Sequence, residues 1–154
     1  CLSLLRVLRA FVVNIMPYFS RTQIEAEVVP ADLAALLDDD HDGCEDPGLF
    51  ALAAARAEAR IQAILAPRYP VPFADPPPAV AEAAILAFCA GLYRRRGTPD
   101  AENPFAEREE RALAFLRECA AGTAELDAAL AHVPVARIAP APLVWDGANQ
   151  EGLC

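Results

Sequence analysis

The feature that most constrains the fold is the segment 79–93, in which Glu82 is the only charged residue. The segment is rich in alanine and leucine, which favour helix, and it lacks a run of the β-branched residues that favour strands. A helix that is apolar on every side has to be buried among other helices. Prolines precede the segment, arginines follow it, and it is shorter than the ~20 apolar residues that a membrane span requires. We therefore expect a helical bundle with this helix at its centre.

Helix-start and helix-stop signals predict further helices on both sides of this segment. Ser20 and Gln23 match a capping box, which predicts a first helix that ends before Pro30. Asp46-Pro47 and Asn103-Pro104 each match an N-cap followed by a proline at the first helical position. The result is an all-α fold, a small bundle of four to five helices. The predicted helices are 21–29, 32–37, 47–66, 79–96 and 104–121, with a short last helix that Thr123 caps and that contains Leu126 and Leu130.

The two ends of the chain differ from this helical part. Residues 1–15 are apolar, carry two arginines and no acid, and are interpreted as an extension upstream of a native start at Met16. An amphipathic helix that docks on a partner or a membrane surface is the alternative. Helical periodicity stops after Ala131, so we expect a helical domain over 16–130 and an extended, partly disordered tail over 131–154. The apolar residues of the tail are equally consistent with a segment that becomes ordered on a neighbouring subunit.

The charge balance and the cysteines exclude several classes of protein. Thirteen basic residues stand against 22 acidic ones, a net charge of −9, which argues against sequence-specific nucleic-acid binding. Arg94-Arg95-Arg96 is the only basic cluster, and we interpret it as a solvated helix end, with DNA contact as a less favoured alternative. The five cysteines are odd in number and none forms a CxxC pair, which fits reduced thiols. Cys89 and Cys119 lie in apolar helical patterns and are expected in the core.

One loop has a partial metal-binding pattern. Asp38-x-Asp40-x-Asp42-Gly43 matches the first half of an EF-hand loop, but the twelfth position, which requires a bidentate glutamate, is Leu49. We therefore interpret the acidic loop, residues 38–46, as solvated, with an adventitious cation as the alternative.

No catalytic or cofactor-binding set emerges from the sequence. His41 and Cys44 lie three residues apart, but two ligands are too few for zinc, and a flexible loop preorganises a thiol–imidazole pair poorly. There is no glycine-rich phosphate loop and no GxSxG motif. We expect no enzyme activity, no metal and no cofactor.

Several short motifs occur in an order that resembles a known family. Met16-Pro17-Tyr18-Phe19-Ser20 is similar to the lead into the first helix of the head–tail adaptor, or head-completion, family of Mu-like phages and prophages. Many members of that family are known only as domains of unknown function. Arg68-Tyr69-x-x-Pro72 resembles its central motif, and Leu92-Tyr93 resembles the end of its third helix. The resemblance covers about residues 16–130, and the extension 1–15 and the long proline- and alanine-rich tail depart from it.

The resemblance implies a structural virion protein. Family members of this kind form a ring on the portal protein of a filled head, continue the DNA channel and meet a tail-completion protein, so the virion or the host cytoplasm during assembly is the expected location. A negative subunit would suit a channel through which DNA slides. Candidate subunit or partner contacts are Arg68, Tyr69, Arg94, Arg95, Arg96, Arg137 and Trp145.

Other interpretations of the same residues remain open. Tyr69 could instead pack on the bundle, and Arg68 could pair with an acid in its own turn. Arg56 and Arg60 are expected on a solvent-facing edge of their helix, with Glu58 near them. The alternative function is a helical regulator that binds another protein through the acidic loop and the first helix. A nucleotide- or metal-dependent enzyme is the third possibility.

Overall fold

The structure, a computed structural model, describes residues 18–128, and this part of the chain contains five helices and no strand. The all-α prediction is confirmed. The predicted extension 1–15, the tail 131–154 and Leu130 lie outside the described residues. The helices are α1 (Arg21–Glu27), α2 (Pro30–Leu36), α3 (Leu49–Leu65), α4 (Pro78–Arg95) and α5 (Ala106–Ala121).

Helix α4 lies at the centre of the bundle, where it packs against α3, α5 and α1. Ile85, Phe88 and Leu92 are 7%, 1% and 1% exposed, so the prediction of a central apolar helix is confirmed. The ring of Phe88 packs on Phe19 before α1 and on Phe50 of α3, with ring centroids 5.3 and 4.9 Å apart. Tilted aromatic pairs of this kind stabilise a core beyond the area that they bury. Among residues 18–128, no helix has both the length and the apolar character needed to cross a bilayer.

The first helix starts as its capping box predicts, whereas α2 begins at Pro30, two residues before the predicted Asp32. The Ser20 side chain accepts the N–H of Gln23, and the Gln23 side chain accepts the N–H of Ser20 at 2.7 Å, which completes the capping box. Pro30 follows the end of α1 and is also the first residue of α2. Its fixed φ and missing N–H fit that position. The apolar side chains of Leu33 and Leu37 then enter the core.

Two later helices, α3 and α5, start two residues after their predicted first residues. Asp46 accepts the N–H of Asp39 at 2.7 Å rather than capping a helix, and α3 begins at Leu49, after Gly48 at φ 81°. Asn103 accepts the N–H of Phe105 at 3.1 Å, and α5 begins only at Ala106. The Asn103 amide also donates to the carbonyl of Ala90 on α4 at 3.1 Å. Both side chains accept hydrogen bonds from N–H groups of the loops that precede their helices.

The predicted short last helix is absent from the part of it that the structure describes, up to residue 128. Helix α5 ends at Gly122, whose φ of 84° is easy only for glycine. The hydroxyl of Thr123 donates back to the carbonyl of Glu118 at 3.1 Å instead of capping a new helix. Leu126 is buried in the core without belonging to a helix.

Candidate functional site

A buried carboxylate joins the three long helices. Glu109 of α5 is 1% exposed, and one of its oxygens pairs with Arg60 of α3. Its other oxygen lies 2.5 Å from Nη2 of Arg94 on α4, and Arg94 also pairs with Asp100 at 2.7 Å. The hydrogen bond to Glu109 raises the pKa of Arg94 despite the opposite effect of burial. We call Arg60, Arg94 and Glu109 the Glu109 cluster, in which two cations offset the cost of burying one anion.

The next two arginines bind the C-terminal end of α2. Nη1 of Arg95 and Nε of Arg96 each donate to the carbonyl of Leu36 at 3.3 Å, and Arg96 also donates to the carbonyl of Ala35 at 2.5 Å. Both arginines pair with Asp39. The last carbonyls of a helix have no partner within it, so these guanidinium groups complete the hydrogen bonding of α2.

The interpretation of Arg94, Arg95 and Arg96 as a solvated helix end is therefore wrong. Their side chains are 35%, 23% and 21% exposed, and each is bound to acids or carbonyls of the same subunit. Such contacts hold the guanidinium groups in place, which leaves only part of each surface for a partner. A docking surface at the end of α4 stays a prediction.

Arg68 and Tyr69 lie where the chain leaves α3. The Tyr69 ring is 2% exposed, and its hydroxyl accepts the N–H of Leu126 at 3.3 Å. Tyr69 thus fixes the segment after α5, and its buried side chain offers no surface to a partner. The guanidinium of Arg68 lies so close to Gly122 that an added Cβ there would collide with it. Among the described residues, Arg68 forms no ion pair, so the expected acid of its own turn is not its partner.

An apolar groove of about 430 Å³ opens between α3 and α4. We call it the Arg56 groove. A Cβ added at Gly91 would meet nothing within 4 Å, so the groove has free space at that point. Its floor is formed by Ala53, Ala57, Ala87, Phe88, Gly91 and Leu92, and its rim by Arg56, Arg60, Arg94 and Arg95. Within residues 18–128, Arg56 is the only rim arginine without an ion pair.

Glu58 does not lie near Arg56 and Arg60 on the solvent-facing edge, contrary to the prediction. It is 8% exposed and accepts the backbone N–H of Tyr18 at 2.8 Å. Burial raises the pKa of Glu58, and the hydrogen bond from Tyr18 lowers it by less. No arginine or other cation in the described part of the chain pairs with this carboxylate.

The acidic loop is held by its own carboxylates. Oδ2 of Asp38 accepts the N–H of Gly43 at 3.0 Å, Oδ1 of Asp40 accepts that of Asp42 at 3.1 Å, and Oδ1 of Asp42 accepts that of Cys44 at 2.8 Å. Asp38 is 8% exposed, whereas the other two aspartates are exposed. The loop is therefore an ordered turn with one buried carboxylate, and not merely a solvated stretch.

The backbone of the loop favours the ionised form of Asp38. Burial raises the pKa of Asp38, but the N–H groups of Gly43, His41 and Asp42, together with the side chain of Asp40, lower it by more, so the net shift is downward. His41 and Gly43 have φ of 62° and 86°, left-handed conformations that are typical of a tight turn. The carboxylate of Asp38 thus stays charged although most of its surface is buried.

Comparison with known families identifies the family of the chain. Residues 18–138 match the family described as Bacteriophage Mu, Gp36. The chain belongs to this family. The resemblance found in the sequence is thereby confirmed at the level of a Mu-like phage protein. No curated protein matches the chain, and no solved structure matches it.

The family match includes most of the predicted contact residues. Arg68, Tyr69 and the arginines at the end of α4 lie inside it, as does Arg137, whereas Trp145 lies beyond its end. Arg137 and Trp145 both lie outside the described residues. The predicted contact residues that the structure describes thus lie in two places, at the end of α4 and in the turn after α3.

The Glu109 cluster and the burial of Glu58 were not predicted from the sequence. Both acids do carry a signal, because each lies on an apolar helical stripe. Glu109 is four residues after Phe105 and four before Leu113, and Glu58 is four after Ala54. An acid in such a position predicts a buried polar contact, although the pattern does not name its partner.

Proposed function

We propose that this protein is a head–tail adaptor of a Mu-like phage. In this proposal it forms a ring, docks on the portal protein, continues the DNA channel and binds a tail-completion protein, without enzymatic activity. It would act in the virion and in the host cytoplasm during assembly. The observation that carries the proposal is membership of the Bacteriophage Mu, Gp36 family over residues 18–138.

The Arg56 groove suits a contact between neighbouring subunits of such a ring. We propose that it receives the tail segment 143–151 of the next subunit. That segment begins with Leu143-Val144-Trp145 and also contains Asp146 and Glu151, and no basic residue follows Arg137. The apolar start fits the apolar floor, and the acids fit Arg56, the rim arginine that has no ion pair within residues 18–128. A contact between different surfaces of two subunits builds a ring when the rotation between them closes.

The charge of the described residues suits a DNA channel. Eight of the ten arginines between residues 18 and 128 lie within 4.0 Å of a carboxylate. Arginines that are paired within the subunit have less charge to offer to phosphates, and the whole chain carries a net charge of −9. A wall of this kind would let DNA pass without holding it.

The experiment is reconstitution with the portal protein of the same phage. Purified full-length protein is mixed with portal rings, and the complexes are examined by negative-stain microscopy and mass photometry. We expect a second ring on the portal. Absence of any complex with portal, at protein concentrations well above micromolar, would overturn the adaptor function.

Two variants test the Arg56 groove within that experiment. Gly91→Leu fills the groove from a helical position with free space, and Arg56→Glu reverses the charge of the unpaired rim arginine. We expect the apparent affinity between subunits in the ring to fall at least about tenfold in each variant. The melting temperature of each variant should be unchanged or higher. Ala59→Leu is the matched control, because Ala59 is exposed on α3 but does not line the groove. Normal rings with Gly91→Leu would reject the groove as the contact and leave the adaptor function in place.

A further inference from the structure

Three carboxylates in the acidic loop lie close together. Asp38, Asp40 and Asp42 each offer one oxygen, and these oxygens all lie within 4.8 Å of one another. Crowded carboxylates alone are common on protein surfaces and do not define a site. The burial and the incomplete hydrogen bonding of Asp38 distinguish this cluster.

One oxygen of Asp38 has no partner. Oδ1 is buried and accepts no hydrogen bond from the described residues, whereas Oδ2 is held by the N–H of Gly43. Leaving a buried carboxylate oxygen unsatisfied is unfavourable, and such atoms in native proteins call for an ion, a water or another ligand. Asp38 is 8% exposed and one of its oxygens belongs to the carboxylate cluster, so a ligand bound among the three aspartates would lie beside this incompletely satisfied carboxylate.

We propose that the acidic loop binds one Ca²⁺ ion through the carboxylates of Asp38, Asp40 and Asp42. All the donors are oxygens, which hard cations prefer, and the ligand number and geometry of Ca²⁺ are flexible. Mg²⁺ requires near-ideal octahedral geometry and gives up its water reluctantly, so it should bind more weakly. The proposal concerns this loop and is independent of the adaptor function.

The neighbouring acids are already engaged and leave the ion to these three residues. Asp39 pairs with Arg95 and Arg96, and Asp46 accepts the N–H of Asp39. Leu49 stands where an EF-hand has its bidentate glutamate, so water must complete the coordination. We therefore expect weak binding, with a Kd of about 10⁻⁴ to 10⁻³ M.

A bound ion would stabilise the junction between α2 and α3. The loop begins directly after α2 and ends just before α3, and Arg95 and Arg96 connect the same region to α4. A cation of charge +2 among the three carboxylates offsets most of their mutual repulsion and narrows the range of conformations of the loop. Because the folded loop holds the three carboxylates within 4.8 Å of one another, the ion should bind the folded chain more tightly than the unfolded one and raise the melting temperature.

The test uses the full-length chain, freed of metal with EDTA and dialysed. Thermal unfolding and isothermal titration calorimetry are carried out with CaCl₂, with MgCl₂, and with NaCl at matched ionic strength. We expect a saturable rise in melting temperature and one Ca²⁺ per chain, and at least a tenfold weaker response to Mg²⁺. No saturable response to millimolar CaCl₂, or an equal response to all three salts, would overturn the proposal.

Variants locate the ion. Asp40→Asn combined with Asp42→Asn should abolish the Ca²⁺ response, and in EDTA this double variant should melt at the same or a higher temperature because like charges have been removed. Both residues are exposed, so the substitutions should not disturb the core. Asp75→Asn is the matched control, an exposed aspartate outside the loop, and it should retain the full response. A double variant that still binds Ca²⁺ with wild-type affinity would contradict the assignment to this loop.

Discussion

At the scale of single residues, two buried glutamates have opposite surroundings. Glu109 meets two guanidinium groups, whereas Glu58 meets only the backbone N–H of Tyr18. A single hydrogen bond does not replace the water that a carboxylate loses on burial. The ionised carboxylate of Glu58 therefore destabilises the fold, whereas that of Glu109 stabilises it.

The surroundings of Glu58 predict a pH-dependent gain in stability on its neutralisation. Burial, opposed in part by the Tyr18 N–H, raises the pKa of Glu58 above its ordinary value of 4.5. The stability that this group contributes is thus present below pH 4.5 and lost as the pH rises through its raised folded pKa. Glu58→Gln keeps an oxygen for Tyr18 and never ionises. We expect it to melt a few degrees above wild type at pH 7 and at the same temperature near pH 4, measured by circular dichroism.

An exposed acid provides the control for this experiment. Glu102→Gln removes the same charge from a residue that is exposed in the turn before α5, so the melting temperature should change little at either pH. A Glu58→Gln variant that melts below wild type at pH 7 would mean that the ionised carboxylate stabilises the fold.

At the scale of helices, the Glu109 cluster joins α3, α4 and α5 through one side chain. Removing one member of a buried ion pair costs about 3–5 kcal/mol, because the remaining charge has lost its partner. Here both arginines still reach solvent, with Arg60 46% and Arg94 35% exposed, which reduces that cost. Glu109→Gln should therefore lower the free energy of unfolding by about 2 kcal/mol, as measured by urea denaturation.

The residue next to Glu109 allows a direct comparison. Glu110 has a side chain that is 70% exposed and pairs only with Arg117. Glu110→Gln should change the free energy of unfolding by less than about 0.5 kcal/mol. Equal losses in the two variants would show that the cluster contributes no more than a surface ion pair.

Helix interiors could be predicted from the sequence more reliably than helix starts. Apolar periodicity depends on which face of a helix is buried, and it located α3, α4 and α5 to within a few residues. Asp46 and Asn103 matched the local pattern of an N-cap but bind loop backbone, and Asn103 also reaches α4. Local patterns do not show which bond a side chain will prefer once the helices have packed.

At the scale of the whole molecule, the least predictable features are contacts between distant parts of the chain. Arg96 binds carbonyls of α2 about sixty residues earlier, and nothing in the run Arg94-Arg95-Arg96 indicates those partners. The same holds for the Arg56 groove, whose arginines come from two helices. The burial of Cys89 and Cys119, in contrast, was predicted from apolar periodicity and is confirmed.

These two thiols report on unfolding of the whole core. Cys89 and Cys119 are fully buried, and burial raises the pKa of Cys89 to about 12, so neither thiol should react in the folded state. In a variant with serine at positions 1, 44 and 154, we expect labelling by a thiol reagent to be at least about a thousandfold slower in buffer than in urea. Glu109→Gln introduced into this variant should speed the labelling in buffer.

Cys44 supplies the control for thiol reactivity. Cys44 is exposed in the acidic loop. In a variant that keeps Cys44, we expect the thiol reagent to label Cys44 in buffer well before it labels the buried Cys89. Rapid labelling of Cys89 in buffer would mean that the bundle opens around α4 without unfolding as a whole.

The Glu109 cluster also limits how genes of related phages can recombine. A crossover between the codons for α4 and α5 would combine Arg60 and Arg94 of one parent with the residue at position 109 of the other. If that residue is neutral, the two partly exposed guanidinium groups lose the carboxylate that they share, and the hybrid starts with a weakened core. Hybrid genes are thus expected to survive when the second parent also encodes an acid there, so the three codons are inherited most safely as one block.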